Sequence, residues 1–357
     1  MPVALGSGIL SVDKARSLFW TGAACVVSSI VAHGVTPRRS AAACLSTTAA
    51  VKPALLIALI AALVPGLSAC GGDDNPATGA TAPQAADARP AIGIGEQQAA
   101  MFKDKRFIDL GVKKVRLVAS YDTANVRFER DLTTVWLAEA ARAGAEPFIT
   151  FGHSRVHPDK LPSVSEYRAA FRAFRRRFPQ VRVFAPWNEI NHASQPTSDA
   201  PRRAAEYYNV MKAECTGCVV LAGDVLDQAG MVRYLERYRR HLDGEPAIWG
   251  LHNYADSNRF RSSGLRDLLA TVKGEVWLTE TGGIVKFGRS FPRDEQRAAR
   301  AVRYAIKLAR DNERVTRIYL YNWTGADPGA RFDAGLVGPD GDARPALDAL
   351  RAALGRD

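Results

Sequence analysis

The sequence predicts a single α/β domain folded as a (β/α)8 TIM barrel, and three observations predict it. Short apolar runs of strand type alternate with amphipathic helical runs eight times between residues 91 and 354. Such alternation is the pattern of parallel strands joined by crossover helices. The repeat occupies about 265 residues, the usual size of such a barrel. Two of the runs stop abruptly at polar clusters, Trp187-Asn188-Glu189 and Thr279-Glu280. Strands that end in carboxylates and amides suit the C-terminal rim of a parallel barrel, because that rim carries the active site.

Taken in order, strand one covers residues 91–96 and a helix follows over 98–110. Gly93 and Gly95 lie in this strand, but a dinucleotide-binding loop would add a third glycine and an acidic partner that are missing. Strand two is expected at 114–122 with its helix at 132–144, and strand three at 146–154 with its helix at 163–178. In strand four, Val181, Val183 and Ala185 alternate with the opposite face at the period of two that a strand demands. Its helix is 201–213. Strand five (218–225) leads to a helix at 231–242, and strand six (248–254) to one at 265–272. Strand seven (276–280) leads to a long helix at 293–311, and strand eight (317–323) to a last one at 344–354. Glu189 and Glu280 stand 91 positions apart (280 minus 189). At about 30 residues per strand-helix unit that is three steps, which puts them on strands four and seven. The loops 191–199 and 284–292 are expected to wall the cleft between them.

The chain has 357 residues, 47% hydrophobic and 24% charged, an ordinary globular composition with length enough for one large core. Its formal net charge of +11 is spread as arginines over the helices, which suggests solvated faces rather than the clustered footprint of a nucleic-acid binder. Residues 53–67, PALLIALIAALVPGL, form an apolar run behind Lys52. It is short of the ~20 residues a membrane span takes and reads as the core of a signal peptide. Leu67-Ser68-Ala69-Cys70 resembles a bacterial lipobox, which makes Cys70 the lipidated N-terminus after cleavage. An uncleaved anchor or an ordinary secretory signal are the alternatives, and each takes the domain out of the cytoplasm. The signal peptide is thus 51–70, with translation expected to start at Val51 and residues 1–50 forming a leader with no native fold. Residues 71–90, rich in Gly, Ala, Pro and Thr and without a large apolar side chain, form a disordered linker. The catalytic domain is 91–357.

Cys215 and Cys218 are spaced C-x-x-C before strand five, with no second cysteine pair or histidine cluster to complete a zinc site. In an exported protein they are expected to form a local disulfide. No metal and no cofactor are expected.

Trp187-Asn188-Glu189 on one strand and Thr279-Glu280 on a later one resemble the two signatures of the clan A glycoside hydrolases, families 39 and 5 most of all. The resemblance covers residues 91–354 as architecture and only short islands residue by residue. It implies a retaining glycosidase in which Glu189 matches the acid/base and Glu280 the nucleophile, their carboxyl groups about 5–5.5 Å apart. Cleaving a glycosidic bond needs a proton for the leaving oxygen and negative charge against the anomeric carbon, and two unlike carboxyl groups supply both. The resemblance also implies that Asn188 donates to the sugar 2-hydroxyl, and that Arg116 on strand two lies under the nucleophile and keeps it ionised. His252 and Tyr254 match a His-x-Tyr on strand six, the tyrosine orienting the nucleophile and the histidine the acid/base. His153, ending strand three, is expected either to touch the sugar or to pack in the rim. Trp323, ending strand eight, matches the stacking platform, with a non-proline cis bond to Thr324. Trp187 is expected to pack in the rim. Ile190 departs from the clan, which often has proline there. The partners implied are an oligo- or polysaccharide, and a membrane through the anchor at Cys70; no nucleic acid is expected, and the protein should be a monomer. The alternative is a non-catalytic carbohydrate-binding or cell-envelope scaffold barrel, against which the presence of both glutamates argues.

Overall fold

The computed structural model describes residues 90–356. The expected leader, the signal peptide with Cys70 and, Pro90 apart, the linker lie outside the described residues. The first strand, β1 (Ala91–Gly95), leads to a short 3-10 helix at Ala99–Lys103 and then to α1 (Lys105–Leu110), where one continuous helix is expected. Asp104 divides them. Its extended backbone ends the first turn, and its carboxylate accepts from Arg106 N at 2.9 Å, capping the second.

The next units follow the predicted order: β2 (Lys114–Ser120), α2 (Arg127–Arg142), β3 (Glu146–Gly152), α3 (Val164–Arg177), β4 (Val183–Ala185) and α4 (Pro201–Glu214). At α3, Ser163 and Glu166 exchange side chain-to-backbone bonds, a capping box that sets where the helix starts. Strand five arrives in two pieces, β5 (Val219–Val220) and β6 (Asp224–Leu226). Then come α5 (Met231–Arg239), β7 (Ile248–His252), α6 (Tyr254–Arg259), α7 (Ser263–Thr271), β8 (Glu275–Thr281), β9 (Lys286–Phe287) and α8 (Glu295–Arg310). The chain finishes with β10 (Val315–Tyr321), β11 (Phe332–Asp333) and α9 (Pro345–Ala353).

The parallel sheet runs in the order β5-β4-β3-β2-β1-β10-β8-β7-β6. Its two end pieces are successive parts of one barrel strand. On one side Leu221 N donates to Phe184 O at 2.9 Å and Asp224 N to Trp187 O at 3.3 Å. On the other, Ala222 N donates to Ile248 O at 2.9 Å and Gly250 N to Gly223 O at 3.1 Å. The segment therefore bonds to both neighbours, and eight parallel strands close into a barrel with the helices outside. The break falls at Gly223, whose φ of 147° is a conformation that residues with a side chain rarely adopt.

Two layers fill the barrel. Phe148, Val183, Ala185, Leu221, Trp277 and Tyr319 form an apolar cluster inside it. The Arg116 guanidinium lies 5.7 Å from the Phe148 ring centroid, and with Arg116 the interior turns from apolar to charged. Between sheet and helices a larger core is built on residues such as Trp136, Phe171 and Tyr238. Trp187 is buried among Tyr121, Tyr167 and Tyr207, with ring centroids 5.3 to 6.4 Å away.

A further layer, which no strand signal announces, sits on the loops after β8 and β10. β9 and β11 pair antiparallel, and Phe287, Phe291 and Phe332 pack with Ile284, Leu226 and Tyr254. The segment 284–292 thus takes part in a small core of its own.

Candidate active site

Arg116 projects from β2 into the barrel and is almost wholly buried. Its planar fork reaches four neighbours. Nε donates to Thr150 Oγ1 at 3.1 Å, Nη1 to Glu280 Oε2 at 2.7 Å, and Nη2 to Asn188 Oδ1 at 2.8 Å and Asp224 Oδ2 at 2.7 Å. Burial opposes its charge, yet the carboxylates of Asp224 and Glu280 hold it above the usual guanidinium range. Asp224, on β6, also accepts from Thr150 Oγ1 at 3.0 Å and Thr279 Oγ1 at 2.8 Å. Burial pushes its carboxyl up, but Arg116 and His252 outweigh that and hold it well below the usual carboxylate range.

Glu280 stands near the end of β8 and receives a second bond, from Tyr254 Oη at 3.1 Å to its Oε1. Tyr254 opens α6, and that helix is pinned by Asp227, which accepts from Ala255 N and Asp256 N at 3.0 and 2.7 Å. Burial dominates at Asp227 and pushes it up to about 8.

Glu189 follows β4 in a loop held by Asn188 N donating to Phe151 O and Ile190 N donating to Asp224 O. Its backbone lies in the left-handed region, at φ 48°. A non-glycine residue held there costs about 1–3 kcal/mol, and such strain gathers at functional sites. The side chain is fully buried. Oε1 lies 3.0 Å from His252 Nδ1, while Oε2 has no protein partner. Burial raises the Glu189 carboxyl; the His252 contact works against it and Glu280 adds to it. The two carboxyl groups are therefore unlike. Glu280 is gripped by a guanidinium and a phenol, whereas Glu189 is buried with one oxygen free.

His252 ends β7. Its Nε2 is 3.2 Å from Arg116 Nη2 and 3.6 Å from Asp224 Oδ2. Burial lowers its imidazole, but Glu280, Asp224 and Glu189 together push it up to about 9.

The structure thus brings Glu189, Glu280, Asn188, Arg116, His252 and Tyr254 together. His153 follows β3 at the rim, half-buried, with Nδ1 3.3 Å from Gln195 Oε1. That same oxygen accepts from Trp187 Nε1 at 3.0 Å, which ties His153 to the rim packing. Trp323 goes elsewhere. β10 ends at Tyr321, and the cis bond lies between Tyr321 and Asn322 rather than at Trp323. With the strand ending two residues earlier than expected, Trp323 is buried against Phe107 at 5.7 Å and its indole N–H donates to Asp104 Oδ2 at 3.2 Å. It offers no face to a sugar. Cys215 and Cys218 lie together with their Cα atoms 5.5 Å apart, within the span of a disulfide.

Two members of the cluster, Asp224 and Thr150, belong to no motif, and Thr279 entered only as the neighbour of Glu280. The signal for Asp224 is a lone carboxylate inside the apolar run 222–226, AGDVL. Among the described residues no group of three or more His, Cys, Asp or Glu is placed to hold a metal ion. Surface depressions of about 480 Å3 beside Arg202 and about 700 Å3 beside Gln228 are lined by neither glutamate.

No family model matches the chain, and no curated protein matches it in sequence. Solved structures do. A variant of GH5_18 from Streptomyces cattleya, in complex with Manβ1-4GlcNAc, is 18% identical, with a TM-score of 0.55 over 75% of this chain and 80% of that one. A GH5_18 from Bifidobacterium longum subsp. infantis is 16% identical, with a TM-score of 0.56 over 75% and 79%. An α-L-arabinofuranosidase from Thermotoga maritima, in an arabinose complex, is 14% identical, with a TM-score of 0.52 over 72% and 63%. The likeness is one of architecture, and it establishes that the chain has the (β/α)8 barrel fold of these proteins.

Proposed function

We propose that this protein is a retaining glycoside hydrolase acting on an oligo- or polysaccharide. The observation that carries the reading is the unlikeness of two buried carboxyl groups at the C-terminal ends of strands four and seven of one barrel. Glu280, held by Arg116 and Tyr254, suits a nucleophile. Glu189, raised by burial and with Oε2 free, suits a proton donor.

In the first displacement a Glu280 oxygen bonds to the anomeric carbon as the glycosidic C–O bond breaks, and the Glu189 proton passes to the leaving oxygen. In the second, a water oxygen attacks that carbon, its proton goes to Glu189, and the bond to Glu280 breaks. Asn188 turns Oδ1 to Arg116, which directs its amide N–H groups away from the guanidinium and makes them available to a sugar 2-hydroxyl. The saccharides in the similar structures, Manβ1-4GlcNAc among them, support a glycan substrate.

The test is turnover of a panel of aryl β-glycosides and β-glycans by the full chain, beside Glu280→Ala and Glu189→Ala. Release by the parent and a loss of about 100-fold or more in both variants are expected. Azide should rescue Glu280→Ala with an inverted glycosyl azide as product. Glycan binding by all three proteins without turnover would replace this reading with a non-catalytic carbohydrate-binding barrel.

A further inference from the structure

With Glu280 as nucleophile and Glu189 as acid/base, one buried carboxylate of the cluster takes no part in bond making. Asp224 is fully buried and is bound by Arg116 and by the hydroxyls of Thr150 and Thr279. The barrel has made space for it, since a Cβ at Gly250 on β7 would collide with Asp224 Oδ1 and Thr279 Oγ1.

Its neighbour His252 has an unusual hydrogen-bond problem. Nε2 lies 3.2 Å from Arg116 Nη2, a contact that would suit a neutral ring accepting from the guanidinium. Nη2 has two hydrogens, however, and both are directed elsewhere, to Asn188 Oδ1 and Asp224 Oδ2. None is left for the imidazole. A proton on Nε2 would instead face Asp224 Oδ2 at 3.6 Å, and one on Nδ1 would point at Glu189 Oε1 at 3.0 Å. The charged groups around the ring come from four strands or their loops: Arg116, Glu189, Asp224 and Glu280.

We propose that Asp224 is a positioning residue that holds His252 as an imidazolium aimed at Glu189, and that this charge receives the carboxylate Glu189 becomes when it gives up its proton. Charge counting supports it. With Arg116 and His252 positive, Asp224 and Glu280 negative and Glu189 protonated, the cluster sums to zero. Without Asp224 the same imidazolium would leave a net positive charge buried, and an uncompensated buried charge is strongly unfavourable. The role of Asp224 builds on the hydrolase reading, but the protonation of His252 can be measured without substrate.

The experiment is nitrogen-15 NMR of histidine-labelled full chain across a pH series, with the His252 signals assigned by His252→Gln. In the parent, both ring nitrogens of His252 are expected to carry protons at neutral pH. In Asp224→Asn the ring should lose its charge at least about one pH unit lower, as expected when a neighbouring anion is removed. Thr279→Val, which removes a bond to Asp224 and keeps its charge, should leave the midpoint where the parent has it. A neutral His252 in the parent, which can be read even when a variant does not fold, overturns the proposal. So does an unmoved midpoint in Asp224→Asn, or a shift in Thr279→Val as large as the one in Asp224→Asn. Failure of every glycan to react, with the shift present, would reject the hydrolase reading and leave the charge-holding role of Asp224 standing.

Discussion

Arg116 shows how much one side chain can organise. Its fork gathers Thr150, Asn188, Asp224 and Glu280, which come from four other barrel strands or their ends. Lysine would keep the charge and lose that planar geometry. His252 gives the residue-scale prediction. Its imidazole rises from its ordinary 6.5 to about 9 in the folded protein, burial being outweighed by Glu280, Asp224 and Glu189. A group raised on folding contributes stability that is fully present below its unfolded value and lost as pH rises through its folded value. The melting temperature should therefore fall between about pH 6.5 and about pH 9, and His252→Gln should lack that component of the fall. Equal slopes for parent and variant in that window would show that the ring is not charged in the fold. At this scale the sequence shows residue types and little else. Glu189 and Glu280 stand at strand ends and could be picked by their chemistry, whereas Arg116, His252 and Tyr254 were marked by the family resemblance. Asp224 stood out only as a lone carboxylate in an apolar run, and its place in the cluster emerged when closure set it against Arg116 on β2, Thr150 on β3 and Thr279 on β8.

At the scale of elements, strand-helix alternation was legible because one face of each strand and helix must be apolar, and that periodicity is written locally. Ends were legible where a local device marks them, as with the capping box of Ser163 and Glu166 on α3. They were not legible where tertiary contacts set them. β10 stops at Tyr321, although Trp323 lies just beyond Asn322, and Trp323 packs outward against Phe107 and Asp104. The β9–β11 layer escaped sequence reading for the same reason, being two residues in each strand and held by aromatic packing. Phe332 is its keystone: it meets Tyr254 at 6.0 Å and Phe287 at 6.2 Å between ring centroids. Phe332→Ala should cost about 3–5 kcal/mol, as for other buried phenylalanines, measured by denaturant unfolding. It should also lower turnover by loosening Tyr254 against Glu280. An unchanged midpoint would mean that the layer unfolds apart from the barrel.

For the whole molecule, the proposed destination outside the cytoplasm rests on the apolar run and lipobox-like tetrad before Cys70. Export with lipidation predicts that the chain labels with a fatty acid in a bacterial host and fractionates with membranes, and that Cys70→Ala abolishes both. Labelling that survives this substitution would sink the lipid-anchor proposal.

The sequence by itself determined the barrel class, the order of its units and the strands on which Glu189 and Glu280 fall, because these depend on periodicity and spacing along the chain. Only the tertiary structure decided that strand five is split at Gly223, that Trp323 is spent on packing, and that Asp224 joins Arg116 and His252 beneath the two glutamates. Those outcomes depend on closing the sheet. Closure brings β2, β6 and β7 around a common interior, and hydrogen-bonding capacity there is shared among residues more than 100 positions apart, as Arg116 and Asp224 are. Nothing along the chain encodes that sharing except the fold itself.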